Sequence, residues 1–122
     1  MFATIPSVIS HIKAGNLVAI AVSSGARSRS MPEVPTVEES GYPGFQAGSW
    51  FGLFAPKGTP REIVLELNRA TNEALAEKQL QARLVEEGAD PVPGSPEQFG
   101  AFVRREFEKW RTVVRESGAT VN

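Results

Sequence analysis

Residues 41–62 constrain the fold of this chain more than any other segment. They contain the densest aromatic run in the sequence, WFGLF at 50–54, with turn residues on both sides. Aromatic residues favour an extended segment, and the glycines among them allow close backbone approaches. The run leads into TPRE at 59–62, which has the form of a helix N-terminus: a threonine cap, proline at the first helical position and glutamate at the third. The sequence therefore predicts a buried strand over 45–55 with a helix directly after it.

The N-terminal part has the pattern of one half of an α/β unit. A helix is predicted over residues 6–14, with Pro6 in its first turn and Thr4 as a candidate cap. Residues 17–22 are apolar without interruption, which is typical of a strand covered on both faces in a parallel sheet. A helix followed closely by such a strand forms the second half of a βαβ unit, so the predicted class is α/β.

The C-terminal part is predicted to be mostly helical. A helix from 60 loses its apolar phase near Glu77, and a shorter helix follows over 79–87. SPEQ at 95–98 begins a last helix that ends at Gly118. The apolar stripes of the first and last of these helices are predicted to be core; they include Ile63, Leu67, Trp110 and Val113.

Shorter signals lie between these elements. TVEE at 36–39 has the form of a small capping box, and 89–92 fits a short edge strand because Pro91 disfavours a central one. Residues 23–35 show no periodicity and little to bury, so they are predicted to be a connection or crossover.

Composition excludes several classes of function. The chain has 122 residues, 41% of them apolar and 22% charged, which indicates a globular domain. A net charge of −1 gives no reason to expect nucleic acid as a partner. Cysteine is absent and His11 is the only histidine, so a histidine-rich metal site is excluded; no metal or other cofactor is predicted.

Targeting signals are also missing from the sequence. The longest apolar run, 17–22, is far shorter than the ~20 residues that span a bilayer. Neither a basic segment nor an apolar segment of a signal peptide precedes the first predicted helix. This abrupt start predicts a fragment of a larger fold.

The candidate chemical features are few, and each has an ordinary structural alternative. Ser23 and Ser24 follow a predicted strand, where α/β proteins often bind ligands, although the sequence favours a plain polar connection. A hydrolase using either serine with His11 is a second hypothesis, but no G-x-S-x-G motif supports it. The start of the first helix offers backbone N–H groups that attract a carboxylate, unless it is an ordinary capped helix. Trp50 fits either a core position or the lining of a site.

Several motifs occur together in a particular order. They are MFATIPS at 1–7, HIKAGNLVAIAVS at 11–23, PEVPTVEESG at 32–41, SWFGLFAP at 49–56 and GTPRE at 58–62. This combination, which covers essentially the whole chain, resembles the substrate-binding proteins of tripartite tricarboxylate transporters, the Bug or TctC family. The resemblance is to the C-terminal portion of those proteins only.

The resemblance implies a helix-rich α/β chain that is the C-terminal part of a two-lobed type II periplasmic binding protein fold. Residues 1–24 would end the second lobe, 25–48 would form the crossover or hinge, and 49–122 would be the C-terminal part of the first lobe. It also implies a periplasmic, non-enzymatic protein. Such a protein binds a small organic dicarboxylate or tricarboxylate in the interlobe cleft and works with membrane transporter subunits. The fragment by itself is expected to be incomplete for binding.

The resemblance also indicates where the ligand would bind. The family's ligand loop matches Phe2, Ala3 and Thr4, and the hinge lies near Ser49 and Trp50; Ser23 completes the predicted site. Many members carry a polar or acidic residue at the position of Ala3, where it can meet a ligand amine, so alanine favours a carboxylate without an amine.

Part of a two-lobed protein should expose apolar surface, for example beside 17–22 and 51–54. Exposed apolar patches usually find partners. A homodimer or a domain-swapped oligomer is therefore predicted.

Overall fold

The computed structural model describes residues 1–119, which contain four helices joined by extended segments and turns. The helices are α1 (Ile5–Lys13), α2 (Arg61–Ala76), α3 (Lys78–Glu86) and α4 (Pro96–Ser117). Among the described residues no strand ladder forms, and one isolated parallel bridge joins Val22 to Thr36. The chain divides into two compact units: the first unit is Met1–Ala55 with Glu73–Val92, and the second unit is Pro56–Asn72 with Pro93–Asn122.

All four predicted helices are present, and most of their predicted end signals form. Glu77 takes an extended conformation between α2 and α3, where the apolar phase breaks. In the capping box of α4, the Ser95 Oγ accepts from the Gln98 backbone N–H at 3.2 Å and the Gln98 Oε1 accepts from the Ser95 N–H at 2.8 Å. Gly118 then ends α4 in the left-handed conformation, with φ +66°. The capping box works because it satisfies backbone N–H groups that the start of a helix leaves open.

The predicted threonine cap of α2 is absent. The Thr59 hydroxyl donates to the Pro56 carbonyl at 2.9 Å, so it closes the preceding turn, and α2 begins at Arg61. A threonine hydroxyl can bond to backbone groups before or after it in the chain, and here it bonds to the preceding turn.

A small core lies in the first unit. Val22, Met31 and Val34 are buried together, and Ile5, Ile12 and Ala19 pack against them. Met31 and Val34 lie in the stretch that was predicted to have little to bury, so this part of the prediction is wrong. Turns at 28–31 and 31–34, each closed by a backbone hydrogen bond of 3.1 Å, bring both side chains to the same side.

Three extended segments of the first unit lie side by side around residues 22 and 23. The Val22 N–H donates to the Pro35 carbonyl and the Val22 carbonyl accepts from the Val37 N–H, both at 2.9 Å. On the other side, the Ser23 carbonyl accepts from the Ala47 N–H at 2.8 Å. Residues 35–37 and Ala47 therefore lie on opposite sides of residues 22–23.

The prediction that 17–22 and 45–55 are buried strands is wrong for this chain. Val18 and Ile20 are 86% and 85% exposed, and Phe51 and Leu53 are 97% and 79% exposed. The physical reason is the lack of a pairing partner, since a strand is stable only when neighbouring chain satisfies its backbone groups. The segment 89–92 likewise joins no ladder among the described residues.

The helical stripes that were predicted to be core contain no buried residue, and Ile63, Leu67, Trp110 and Val113 are exposed. Trp110 keeps 40% of its surface accessible, Leu67 keeps more, and no residue of α2, α3 or α4 is buried. The indole Nε1 of Trp110 donates to the Glu106 carboxylate at 3.1 Å, within its own helix. An amphipathic stripe predicts a contact face, but it does not show that the covering element is present.

Candidate functional site

All six residues of the predicted ligand site lie in the first unit, in three short segments. They are Phe2, Ala3 and Thr4 before α1, Ser23 after the extended piece, and Ser49 with Trp50 in the returning segment. Phe2 is 90% exposed.

The segment before α1 has open backbone donors. Thr4 occupies the N-cap position, with φ −74° and ψ 143°, but its side chain does not cap the helix as predicted. Its hydroxyl donates instead to the Ser7 Oγ at 3.2 Å, and the Ser7 hydroxyl donates to the Thr4 carbonyl at 2.7 Å. Within the described chain, the N–H groups of residues 2–5 donate no hydrogen bond. The start of α1 can therefore accept a carboxylate from outside the chain.

No side chain in the first turn of α1 competes with such an anion. The turn contains no acidic residue, whereas His11 and Lys13 lie in the last turn. The partial positive charge at the N-terminus of the helix is therefore not neutralised from within α1.

The segment that contains Ser23 is fixed by the returning chain. Beyond the bond from Ala47 to Ser23, the Gln46 side chain lies against Gly25 so closely that a Cβ added to Gly25 would be 2.8 Å from the Gln46 Nε2. The Ser24 hydroxyl turns back to the Ala26 carbonyl at 2.7 Å. The structure therefore brings Ser23 beside residues 46–47, only two residues before Ser49.

Ser49 and Trp50 continue from this contact along an exposed piece of chain. The ring of Trp50 lies 6.5 Å from the ring of Phe54, centroid to centroid, at an interplanar angle of 45°. Trp50 retains 38% exposure, so its ring is not the core residue that one alternative predicted. The other alternative, a lining residue, stays a prediction.

A polar cluster that sequence reasoning missed holds the crossover in shape. The Arg27 Nε donates to both oxygens of Glu39, at 3.1 and 2.9 Å, and the Arg27 Nη1 donates to the Pro32 carbonyl at 3.1 Å. Glu39 also accepts from the Thr36 N–H at 2.8 Å, while the Thr36 Oγ1 accepts from the Glu39 N–H at 3.0 Å. The predicted capping box at 36–39 is thus confirmed. The sequence carries no signal that Arg27, twelve residues away, would join it.

Arg27 should control the titration of Glu39. The hydrogen bond from Arg27, followed by the one from the Thr36 backbone, lowers the pKa of Glu39 below its ordinary value of 4.5. Ionised Glu39 therefore stabilises the folded crossover above about pH 4.5, and this stability is lost as the pH falls through the lowered pKa. We expect Arg27→Gln to return the pKa toward 4.5, as measured by NMR titration of the Glu39 carboxyl carbon.

Arg29→Gln is the matched control for that titration. Arg29 is close in sequence and pairs with Asp90, with 3.9 Å between the Arg29 Nε and the Asp90 Oδ1, and it makes no hydrogen bond to Glu39. The same charge is removed, so Arg29→Gln should change the pKa of Glu39 much less. Equal shifts in the two variants would show that general charge, and not the Arg27 contact, sets the pKa.

Other site types receive no support from the structure. Across residues 1–119 no three His, Cys, Asp or Glu side chains are placed to share a metal ion. Over the same residues, neither serine of the hydrolase hypothesis forms a hydrogen bond with the His11 side chain. In the described part of the chain, none of the helices has the length and apolar character to cross a bilayer.

Comparison with known proteins gives one consistent family. Residues 1–119 match the family described as "Tripartite tricarboxylate transporter family receptor". Protein BugT of Bordetella pertussis is 46% identical over 114 residues, which are 93% of this chain and 35% of BugT. A UPF0065 protein from the tcbD-tcbE intergenic region of Pseudomonas sp. strain P51 is 36% identical over 123 residues, covering 100% of this chain and 37% of that protein.

Solved structures give the same result for the fold. Rpa4515 of R. palustris with adipate superposes with a TM-score of 0.76 at 34% identity, over 93% of this chain and 38% of that one. MatC from Rhodopseudomonas palustris with bound malate superposes with a TM-score of 0.69 at 37% identity, over 90% of this chain and 38% of that one. The chain thus spans little more than a third of the length of these relatives.

Proposed function

The chain belongs to the tripartite tricarboxylate transporter receptor family, which it matches over residues 1–119, and from this premise we propose that it contributes one half of a dicarboxylate site to a solute receptor. The fold is the C-terminal part of a two-lobed periplasmic binding protein, since the solved relatives are matched over 38% of their length. Within that fold, we assign 1–24 to the end of the second lobe, 25–48 to the crossover and 49–122 to the first lobe. The last three residues of that final range lie outside the described chain.

The observation that carries the proposal is the unused set of N–H donors at residues 2–5, directly before α1. A carboxylate placed there would receive charge-assisted hydrogen bonds and the favourable field of the helix dipole. The solved relatives include one with adipate and one with malate, both dicarboxylates. The ligand we propose for this chain is therefore a small dicarboxylate that has one carboxyl group at this position.

The absence of an acidic partner narrows the ligand class further. Ala3 offers no charge, and the first turn of α1 contains no Asp or Glu. An ammonium group beside the bound carboxylate would be desolvated there without a counter-charge, which is costly. We therefore propose a ligand without an α-amine.

The wider role follows from the family. A neighbouring solved structure is described as the periplasmic binding protein BugD, so we place this receptor in the periplasm. Closure of two lobes on the ligand would produce the form that membrane transporter subunits recognise, because a ligand stabilises the state that binds it best. This role is binding and delivery, not catalysis.

A charge placed at Ala3 tests the ligand proposal directly. Because the chain supplies only one half of the site, we expect malate and adipate to bind weakly, and this binding should shift the amide resonances of residues 2–5 in an NMR titration of the 122-residue chain. Ala3→Asp should weaken this binding roughly tenfold, because a second negative charge lies a few ångströms from the carboxylate. Ala3→Asn, which has the same shape and no charge, should change the affinity by less than about twofold.

Titrations with acetate and with glutamate complete this experiment. Acetate should bind more weakly than the dicarboxylates, and glutamate should bind more weakly than its amine-free analogue glutarate. The proposal is wrong if the dicarboxylates move none of these amides, or if Ala3→Asp and Ala3→Asn behave alike.

A further inference from the structure

Asp90 joins two segments of the first unit that lie far apart in the sequence. Its Oδ2 accepts from the Ser28 hydroxyl at 3.2 Å, and its Oδ1 accepts from the Arg29 N–H at 3.4 Å. Ser28 is only 2% exposed, so its hydroxyl needs a partner within the protein. Because one carboxylate accepts from two consecutive residues, it fixes the start of the turn at 28–31, which we call the crossover turn.

The end of α3 fixes the position of Asp90 in turn. The Ala89 N–H, directly before Asp90, donates to the Leu84 carbonyl at 2.8 Å. Gly88 has φ +80°, the left-handed conformation that commonly ends a helix. Asp90 therefore follows directly after a closed helix end, and its carboxylate holds the crossover turn against that end.

The same helix end lies against the start of α1. A Cβ added to Gly88 would be 2.3 Å from the Ile5 Cγ2 and 3.3 Å from the Ile5 carbonyl carbon, so Gly88 and Ile5 are in close contact. Ile5 is the first residue of α1, and its N–H is one of the open donors of the proposed carboxylate site. Ile5 also packs against the small core, to which the crossover turn contributes Met31. The contacts therefore form a closed ring from Asp90 through the crossover turn, the core, Ile5 and Gly88 back to Asp90.

Asp90 supplies the directional contact of this ring. Apolar packing has no preferred direction, whereas a hydrogen bond requires a particular distance and angle. We infer that Asp90 is a positioning residue for the carboxylate site, because it holds the end of α3 where Gly88 supports Ile5 and so keeps the N–H groups of residues 2–5 in place. This role rests on the proposed function, and Asp90 acts through Ile5 and not by contact with the ligand. Since coupling between two sites is reciprocal, a bound carboxylate should also stabilise the crossover turn.

Asp90→Ala and Asp90→Asn are a matched pair of variants. Both remove the charge, but asparagine keeps an oxygen for the Arg29 N–H and offers its amide to the Ser28 Oγ. Asp90→Ala should weaken malate binding about fivefold, measured by NMR titration of the amides of residues 2–5, and Asp90→Asn should stay within about twofold of the unmodified chain. Loss of the negative charge would favour an anion equally in both variants, so it does not produce this difference.

Hydrogen exchange at the Arg29 amide measures the coupling directly. In the unmodified chain, malate at about ten times its Kd should slow this exchange roughly threefold or more, because the ligand stabilises the closed ring. In Asp90→Ala the amide should exchange about tenfold faster and should no longer respond to malate. The Ala47 amide is the control, since it bonds to the Ser23 carbonyl in the same unit but outside the ring, and it should respond much less.

The outcomes distinguish this role from the proposed site. Equal malate affinity in Asp90→Ala and Asp90→Asn, or equal slowing of exchange at Arg29 and Ala47, would overturn the positioning role and leave the ligand site intact. Malate that shifts none of the amides of residues 2–5 in the unmodified chain would overturn the site, and the role of Asp90 with it. If Asp90→Ala does not fold, the exchange measurement on the unmodified chain still decides the question.

Discussion

Replacing Gly88 by alanine should lower the free energy of unfolding of the first unit by about 2–5 kcal/mol. Gly88 has φ +80°, a conformation that costs an L-residue roughly 1–2 kcal/mol. A Cβ at this position would also lie 2.3 Å from the Cγ2 of Ile5 and 3.3 Å from its backbone carbonyl carbon, so the neighbour would have to move. Overpacking of this kind adds roughly 1–3 kcal/mol. Denaturant unfolding followed by circular dichroism measures the sum.

Gly15→Ala separates the cost of backbone strain from the cost of the steric clash with Ile5. Gly15 follows α1 as Gly88 follows α3, and its φ is +75°, but a Cβ there would meet nothing within 4 Å. It should therefore cost only about 1 kcal/mol, which is the strain reduced by the lower entropy of the unfolded alanine chain. The excess in Gly88→Ala should shrink when Ile5 is also changed to alanine, because the colliding Cγ2 is then absent. Equal costs for the two glycines would show that Ile5 does not press on this turn.

The helices could be predicted because their signals are local. The capping box at 95–98, the phase break at Glu77 and the stop at Gly118 each act within about one turn of helix, so no distant residue is needed to read them. Thr59 shows the limit of this reasoning. Its hydroxyl could accept a hydrogen bond from the first turn of the helix or donate one to the preceding turn, and it donates to the Pro56 carbonyl.

The strands and the core were mispredicted because they depend on distant chain. The apolar run at 17–22 and the aromatic run at 50–54 are suited to burial, but here the backbone of 18–21 and of 51–53 finds no partner. Met31 is buried although its segment has no periodicity, because turns and not a repeat orient it. Hydrophobic periodicity shows which face of a segment is suited to burial, but whether that face is buried depends on the elements that pack against it in the whole fold.

In the candidate site, too, the local features could be predicted from the sequence and the distant contacts could not. The position of Thr4 before a helix could be predicted. That it does not cap α1 could not, because its hydroxyl donates to the Ser7 Oγ instead. The contact between Ala47 and Ser23 spans 24 residues of sequence and could not be read from either segment alone. The family resemblance points to residues 2–4, and the hydrogen bonds of the described chain leave the N–H groups of residues 2–5 available to a ligand.

The second unit depends on a contact that no sequence signal indicated. Asn72 in α2 makes two hydrogen bonds to the backbone of Gly94, accepting from its N–H at 3.1 Å and donating to its carbonyl at 3.0 Å. Asn68, one turn earlier, donates to the same carbonyl at 2.8 Å. Asn72 alone therefore satisfies the Gly94 N–H, directly before the capping box of α4.

We expect Asn72→Ala to destabilise the second unit by about 1–3 kcal/mol, since it loses both bonds to Gly94 and leaves the Gly94 N–H without its partner. A third bond, from the Asn72 Nδ2 to the Asn68 Oδ1 at 3.3 Å, is lost in either variant. Asn68→Ala should cost about 1 kcal/mol or less, because the Gly94 carbonyl keeps the bond from Asn72. Both changes replace asparagine by alanine inside α2, so the gain in helix propensity is the same and cancels in the comparison. Hydrogen exchange gives the sharper readout: the Gly94 amide should exchange faster in Asn72→Ala and remain protected in Asn68→Ala. The same exchange rate in both variants would mean that Asn72 does not hold this turn against α2.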